Sequence, residues 1–370
     1  MREVFFVAGE VSGDLHAAAV ATALRRLRPD LALAGIGSTR MATAGVTLIE
    51  RSERLAAFGL VEVLRQVPHH WALLRTISAR IRRGEIAVLV LLDYPGFNLK
   101  LAAAAHDAGV PVLYYITPQV WAWGAGRIRK MARTITKAAV ILPFEEPLLR
   151  EAGIDATFVG HPLLDYAAQL PDRATARARL GIDPAARVLA LFPGSRGGEV
   201  ARHLDDFVST ARLLEGRYPG LTVVVSVAPG MTIDPVRCPY PQVREASYDV
   251  LRAADAALCK SGTTTLEAAV AGCPLVICYR TNALTWVIGR PLLRTRFIGL
   301  VNIVAGREVT HEYLQDAMTP AALAAALGPL LDPASAERQA MLADLAEVHA
   351  RLGAPGAAER VATMASALAP

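Results

Sequence analysis

Seven consecutive apolar residues, Ile86 to Leu92, run without interruption and stop at Asp93-Tyr94-Pro95-Gly96. A half-solvated strand would alternate, and a membrane span needs about 20 residues, so this run reads as a strand buried on both faces. Such strands belong to parallel sheets with helices on either side. The pattern recurs along the chain. Glu3 to Ala8, Leu31 to Ile36, Val112 to Ile116 and Ala139 to Leu142 are further strand runs, with helical stretches such as Asp14 to Arg28 between them. Pro171 and Asp172 interrupt the pattern near Gln169 to Ala176. It then restarts with Val188 to Phe192, a helix near Asp205 to Arg217, Leu221 to Val227, Ala256 to Cys259 and Leu275 to Tyr279. From about Pro320 the alanine- and leucine-rich sequence predicts helices. With 370 residues, more than one comfortable core, the expected fold is α/β with two Rossmann-like domains facing a central cleft and with C-terminal helices. The expected boundaries are 1–170, 171–345 and a helical segment 346–370, packed back on the first domain or exchanged in a dimer.

Composition narrows the class. Hydrophobic residues make up 53% and charged residues 20%, which fits an ordered globular chain. The opening apolar stretch is too short for a signal peptide and is expected to be the first strand. Cys238, Cys259, Cys273 and Cys278 show neither CxxC pairs nor a disulfide framework, and are expected to be buried free thiols of a cytosolic protein. The net charge of +5 names no partner, but its distribution is uneven. Thr117 to Lys137 holds five basic residues and no acid, beside Trp121 and Trp123; Tyr279 to Asn302 holds four arginines and no acid, beside Trp286 and Phe297. Basic residues beside aromatics suit an anionic membrane surface or phosphate-bearing ligands. No recognition-helix, zinc-finger or single-strand-binding pattern accompanies them, so nucleic acid is not an expected partner.

In parallel α/β sheets ligands sit beyond the carboxyl ends of the strands, so the turns after the strands hold the candidate chemistry. Gly9-Glu10-Val11-Ser12-Gly13-Asp14 follows the first strand. It reads either as an anion-binding helix start or as an ordinary turn capped by Ser12 or Asp14, and it lacks the dinucleotide spacing GxGxxG. Asp93 emerges from the most apolar strand, where it could act as a general base or cap a turn fixed by Pro95. Pro193-Gly194-Ser195-Arg196, with Glu199 beyond it, could hold a diphosphate through backbone N–H groups and the guanidinium. An arginine without a ligand is disfavoured by the dipole at a helix N-terminus. Lys260-Ser261-Gly262-Thr263-Thr264-Thr265-Leu266-Glu267 is a capped helix start that could also bind phosphate, with Glu267 placed to accept from ribose hydroxyls. His161 reads as structural. No histidine, cysteine or carboxylate cluster has metal-ligand spacing, so neither a metal nor a cofactor is expected.

Ten segments in order resemble the lipid-A-disaccharide synthase family, inverting nucleotide-sugar glycosyltransferases of the GT-B kind. They are AGEVSGD from Ala8, GLVEVL from Gly59, DYPGFN from Asp93, TPQVWAW from Thr117, LPFE from Leu142, VGHPL from Val159, FPGSR from Phe192, KSGTTTLE from Lys260, YR at Tyr279 and GLVNIVAGREVTHEYLQ from Gly299. The departures are Gly96 where the family has a second acid, Thr117 and Gln119 in place of serines, Val301 before Asn302, and His311 before Glu312.

The resemblance implies transfer of 2,3-diacylglucosamine from UDP-2,3-diacylglucosamine to 2,3-diacylglucosamine 1-phosphate, forming the β-1,6 disaccharide phosphate of lipid A. By the same resemblance Asp93 would be the base and Arg196 would stabilise the departing diphosphate. Glu10 and Asn302 match family positions linked to activity. Gly194, Ser195, Ser261, Gly262, Thr263 and Glu267 would hold the nucleotide, and a homodimer is implied. His69 to Arg83 sets Trp71, Leu74, Ile77 and Ile81 among Arg75 and other arginines. Read alone, this is an amphipathic helix packed on the first sheet. With acylated substrates it becomes an interfacial helix on the inner face of the cytoplasmic membrane. The alternatives are another GT-B enzyme, such as a UDP-sugar 2-epimerase, or a non-catalytic nucleotide-sugar or lipid binder.

Overall fold

A computed structural model describes residues 2–9, 11–55, 60–121, 126–167, 170–282, 286, 290 and 295–370. The chain divides into two compact units, Met1–Pro162 together with Gly353–Pro370, and Leu163–Leu352. The corresponding boundaries expected from the sequence were 170 and 345.

The first unit runs β1 (Glu3–Ala8), α1 (Val11–Leu27), β2 (Ala32–Gly37), α2 (Thr39–Thr43), β3 (Thr47–Arg51), α3 (Leu60–Arg82), β4 (Ile86–Leu92), α4 (Pro95–Asp107), β5 (Val112–Tyr115), α5 (Gly126–Thr134), β6 (Lys137–Val140), α6 (Glu145–Glu151) and β7 (Ala156–Phe158). Its strands pair in parallel in the order β3-β2-β1-β4-β5-β6-β7. All of β4 is buried, which is why its sequence carries no alternation.

The second unit runs α7 (Leu163–Ala167), α8 (Arg173–Arg179), β8 (Val188–Phe192), α9 (Gly197–Arg217), β9 (Thr222–Val227), β10 (Gln242–Arg244), α10 (Ser247–Ala253), β11 (Ala256–Lys260), α11 (Thr264–Ala271), β12 (Leu275–Tyr279), α12 (Leu300–Ala305), β13 (Glu312–Leu314), α13 (Pro320–Leu330) and α14 (Ala336–Arg351). Its sheet is again parallel, in the order β10-β9-β8-β11-β12-β13. The last helix, α15 (Ala357–Leu368), belongs to the first unit and packs on α1.

Successive strand side chains point to opposite faces, so each interior strand feeds two cores. In the first unit Phe5, Val7, Leu89 and Leu91 meet Ile77 and Ile81 of α3, Leu101 of α4 and Met131 of α5. On the other face Val4, Phe6, Val88 and Val90 meet Val20 and Leu24 of α1 and Val361 and Ala365 of α15. In the second unit Leu189, Leu191 and Leu258 pack beneath Phe207 of α9 and Leu327 of α13.

In both sheets the first strand lies beside the fourth, and the connections run outward from that pair in both directions. The order reverses between β1 and β4 in one unit and between β8 and β11 in the other. Such a reversal opens a crevice at the carboxyl ends of the two central strands, where doubly wound sheets bind their ligands.

Candidate active site

At the reversal in the first unit, Gly9 follows the end of β1 and Asp93 follows the end of β4. Asp93 is half-buried. It and Tyr94 both adopt left-handed backbone, each with φ 46°. The Asn98 side-chain amide donates to the Leu92 and Asp93 carbonyls at 3.0 and 2.8 Å, tying the first turn of α4 to the end of β4. The Tyr94 ring lies against Gly9, where a Cβ would stand 2.5 Å from its Cγ; no other residue fits there without moving that ring. Tyr94 also stacks on Phe97 at 5.6 Å, and its hydroxyl pairs with His70 Nε2 of α3. Glu10, expected beside this turn, lies outside the described residues.

Asp14 has a different task from the one expected. Helix α1 starts at Val11, so Asp14 is inside it, almost fully buried, and its carboxylate accepts from the backbone N–H groups of Ser38, Arg40 and Met41 at 2.5, 3.2 and 3.3 Å. It therefore caps the neighbouring α2 rather than its own helix. His161 is buried, and its pKa is pushed down to about 3 by that burial, aided by the nearby His16; it stays neutral at physiological pH. Glu145, in the LPFE segment, was assigned no role from sequence. It is buried and accepts from Trp121 Nε1 at 3.0 Å and from the Leu142 N–H at 3.1 Å, which fastens the chain after β5 to the end of β6. Burial pushes its carboxyl up to about 7.

At the reversal in the second unit, Gly194 has φ 131°, and a Cβ there would meet Glu199 Cβ at 2.7 Å. The Ser195 N–H donates to Glu199 Oε2 at 3.1 Å, while Glu199 Oε1 pairs with Lys260 Nζ at 2.8 Å. That ion pair joins the first turn of α9 to the end of β11. Burial raises the Glu199 carboxyl, but the Lys260 hydrogen bond and charge outweigh it and leave the net pKa below the usual range. Arg196 is exposed at the N-cap of the 21-residue α9. Thr263 is likewise exposed at the start of α11, next to Gly262. Leading N–H groups of a helix have no partner within it, so both turns offer donors to an anion. Glu267 is half-buried one turn into α11; burial pushes its carboxyl up to about 7.

Two expected nucleotide contacts are committed elsewhere. Both donors of Ser261 are used internally, its N–H to the Cys278 carbonyl at 2.9 Å and its hydroxyl to the Ile298 carbonyl at 2.8 Å. Asn302 is fully buried and saturated. Its amide donates to the Thr310 carbonyl and Glu312 Oε1, and its oxygen accepts from the Val309 and Thr310 N–H groups, all between 2.8 and 3.1 Å. Glu312 in turn accepts from the Ile298 and Gly299 N–H groups, each at 2.9 Å. Asn302 and Glu312 thus organise the loop on which Ser261 rests, and the Asn302 amide and the Ser261 donors are engaged within the protein. The signal for Glu312 was present in the long segment from Gly299, but a motif does not distinguish a contact from a scaffold.

The expected membrane set divides by burial. Ile77 and Ile81 are core residues at 0 and 1% exposure, where they cover the sheet rather than face outward. Leu74 is half-buried. Trp71, 48% exposed, and Arg75 face outward, with Lys100 of α4 over the Trp71 ring at 4.4 Å. Beyond α4, α5 presents Arg127, Arg129, Lys130 and Arg133, all exposed, and the last three line a recess of about 420 Å³. Trp123 lies outside the described residues. Among the described residues no helix is long and apolar enough to cross a membrane.

Comparison with known proteins adds a family to this geometry. The family model described as "Lipid-A-disaccharide synthetase" matches residues 4–362. The lipid-A-disaccharide synthase of Geobacter metallireducens is 42% identical, over 98% of this chain and 96% of that protein. That of Myxococcus xanthus is 41% identical, over 99% and 97%. Among solved structures, a Staphylococcus aureus MnaA–UDP complex superposes with a TM-score of 0.65 at 10% identity, over 98% of this chain and 95% of the other. The calicheamicin glycosyltransferase CalG4 superposes with a TM-score of 0.64 at 15% identity, over 100% and 98%. These structural likenesses establish a GT-B fold and do not choose among its activities.

Proposed function

The chain belongs to the lipid-A-disaccharide synthase family, a glycosyltransferase of lipid A biosynthesis with a UDP-sugar donor and a lipid acceptor, and we propose the reaction and the residues that perform it. The 2,3-diacylglucosaminyl group of UDP-2,3-diacylglucosamine passes to the 6-hydroxyl of 2,3-diacylglucosamine 1-phosphate. Asp93 takes the hydroxyl proton as the oxygen attacks the anomeric carbon from the face opposite UDP. The bond from that carbon to the diphosphate oxygen breaks, the configuration inverts, and UDP leaves carrying the electron pair. Arg196 and the leading N–H groups of α9 and α11 neutralise charge that grows on the diphosphate, an interaction stronger in the transition state than before it. Glu267 accepts from the ribose hydroxyls.

The observation that supports this reading is positional. Asp93 stands at the strand-order reversal of one sheet, while Gly194 to Arg196 and Ser261 to Thr263 stand at that of the other. The test is UDP release from UDP-2,3-diacylglucosamine with and without 2,3-diacylglucosamine 1-phosphate. Acceptor-dependent release with a disaccharide product is expected, and Asp93→Ala should lower kcat by about 10²–10⁴-fold, the usual worth of a general base. Release without acceptor, or none from folded protein, would remove the synthase reaction.

The acyl chains of both substrates must reach this enzyme from a bilayer. The outward face of α3, α4 and α5, with Trp71, Arg75, Lys100 and the cations of α5, is the proposed contact with an anionic membrane surface.

A further inference from the structure

The turn that carries Asp93 is held in a conformation its own residues disfavour. Asp93 and Tyr94 are consecutive non-glycine residues in the left-handed region, and Ile116, at the end of the neighbouring strand β5, is a third, with φ 57°. Non-glycine residues remain there only where their surroundings over-determine them, and such strain gathers at functional sites. The restraints here converge on the backbone of Asp93 itself. Its N–H donates to the Ile116 carbonyl at 3.3 Å, and its carbonyl accepts from two side chains. One is Asn98, already described. The other is Tyr114 of β5, whose hydroxyl donates at 2.6 Å. Tyr114 has no exposed surface, and burial raises its phenol above the ordinary range, so it remains a donor throughout the working pH range.

We propose that Tyr114 is a positioning residue for the transfer reaction: its hydroxyl, bonded to the Asp93 carbonyl, holds the strained turn that aims the Asp93 carboxylate. Asn98 and the Tyr94 ring hold the turn from the α4 and α3 sides, and Tyr114 is the side-chain tie from β5, beside the backbone bond to Ile116. The inference rests on Asp93 being the base. It assigns Tyr114 no contact with substrate.

The experiment compares the full-length native chain, Tyr114→Phe, Asp93→Ala and the double variant. Phenylalanine keeps the ring and removes only the donor. Tyr114→Phe is expected to bind UDP as the native chain does, to keep the native KM for the UDP-sugar, and to lose roughly 10–100-fold in kcat, because a displaced base is costly even when present. The acid limb of its kcat–pH profile should not move, since the same carboxyl titrates. In the Asp93→Ala background the same change should cost nothing further. An equal loss in both backgrounds, a shifted acid limb, native kcat, or loss of UDP binding through misfolding would each overturn the role. Native kcat in Asp93→Ala would remove the base assignment itself. An inactive Asp93→Ala beside a fully active Tyr114→Phe would remove only the positioning role.

Discussion

In the proposed site, Glu267 couples ligand binding to proton release. Its carboxyl sits near pKa 7 because burial penalises the charge. A ribose diol that donates to the carboxylate favours the ionised form, so binding lowers the pKa and releases a proton. Affinity for UDP should therefore rise with pH and level off above about 8. Between pH 6 and pH 8 the gain from this group is about tenfold, the change in its ionised fraction around a pKa of 7. Calorimetric titration of UDP at several pH values checks this. Glu267→Gln should flatten this component while leaving the titration of the UDP phosphate; an unchanged slope in the variant would remove Glu267 from the ribose. The sequence identified the residue by its place one turn into a capped helix. It could not show how burial shifts the carboxyl, which depends on what other elements bring alongside.

At the scale of elements, the loop from Gly299 to Glu312 is organised by buried polar groups rather than by apolar packing. Removing the Asn302 amide would take their partner from the Val309 and Thr310 N–H groups and the Thr310 carbonyl, and would leave Glu312 Oε1 with the Gly299 N–H alone. Buried unsatisfied groups cost about 1–3 kcal/mol each, with partial relief as the loop relaxes. Asn302→Ala is thus expected to lower Tm by about 5–10 °C, at 2–4 °C per kcal/mol for a unit of this size. The loss should be visible by calorimetry without nucleotide. Loss of UDP affinity at an unchanged Tm would instead make Asn302 a direct contact. Strands divided in a similar way. Every interior strand was legible as an apolar run, with ends off by up to two residues, because burial on both faces forces continuous hydrophobicity. The four that were not legible, β3, β7, β10 and β13, are the two edges of each sheet. They are three to five residues long, and their half-exposed positions leave no apolar run to read.

At the scale of the whole molecule, the basic surface of the first unit sets a measurable behaviour. The chain should cosediment with vesicles of phosphatidylcholine and phosphatidylglycerol, bind pure phosphatidylcholine poorly, and release as salt is raised. Changing Arg129, Lys130 and Arg133 to glutamine should weaken that binding by up to roughly 100-fold, at about 1 kcal/mol per basic residue near the surface. Equal binding to both vesicle types would remove the electrostatic attachment. By itself the sequence determined the α/β class, the interior strands and the turns that carry the chemistry, because continuous burial and tight turns leave marks on neighbouring residues. Tertiary structure decided which turns meet. Strand order set Gly9 beside the Asp93 turn and joined Glu199 to Lys260, so that distant segments share a crevice end. It also turned Asn302, Ser261 and Ile77 inward, because hydrogen bonding and burial are settled by partners far away in the chain, which no local pattern records.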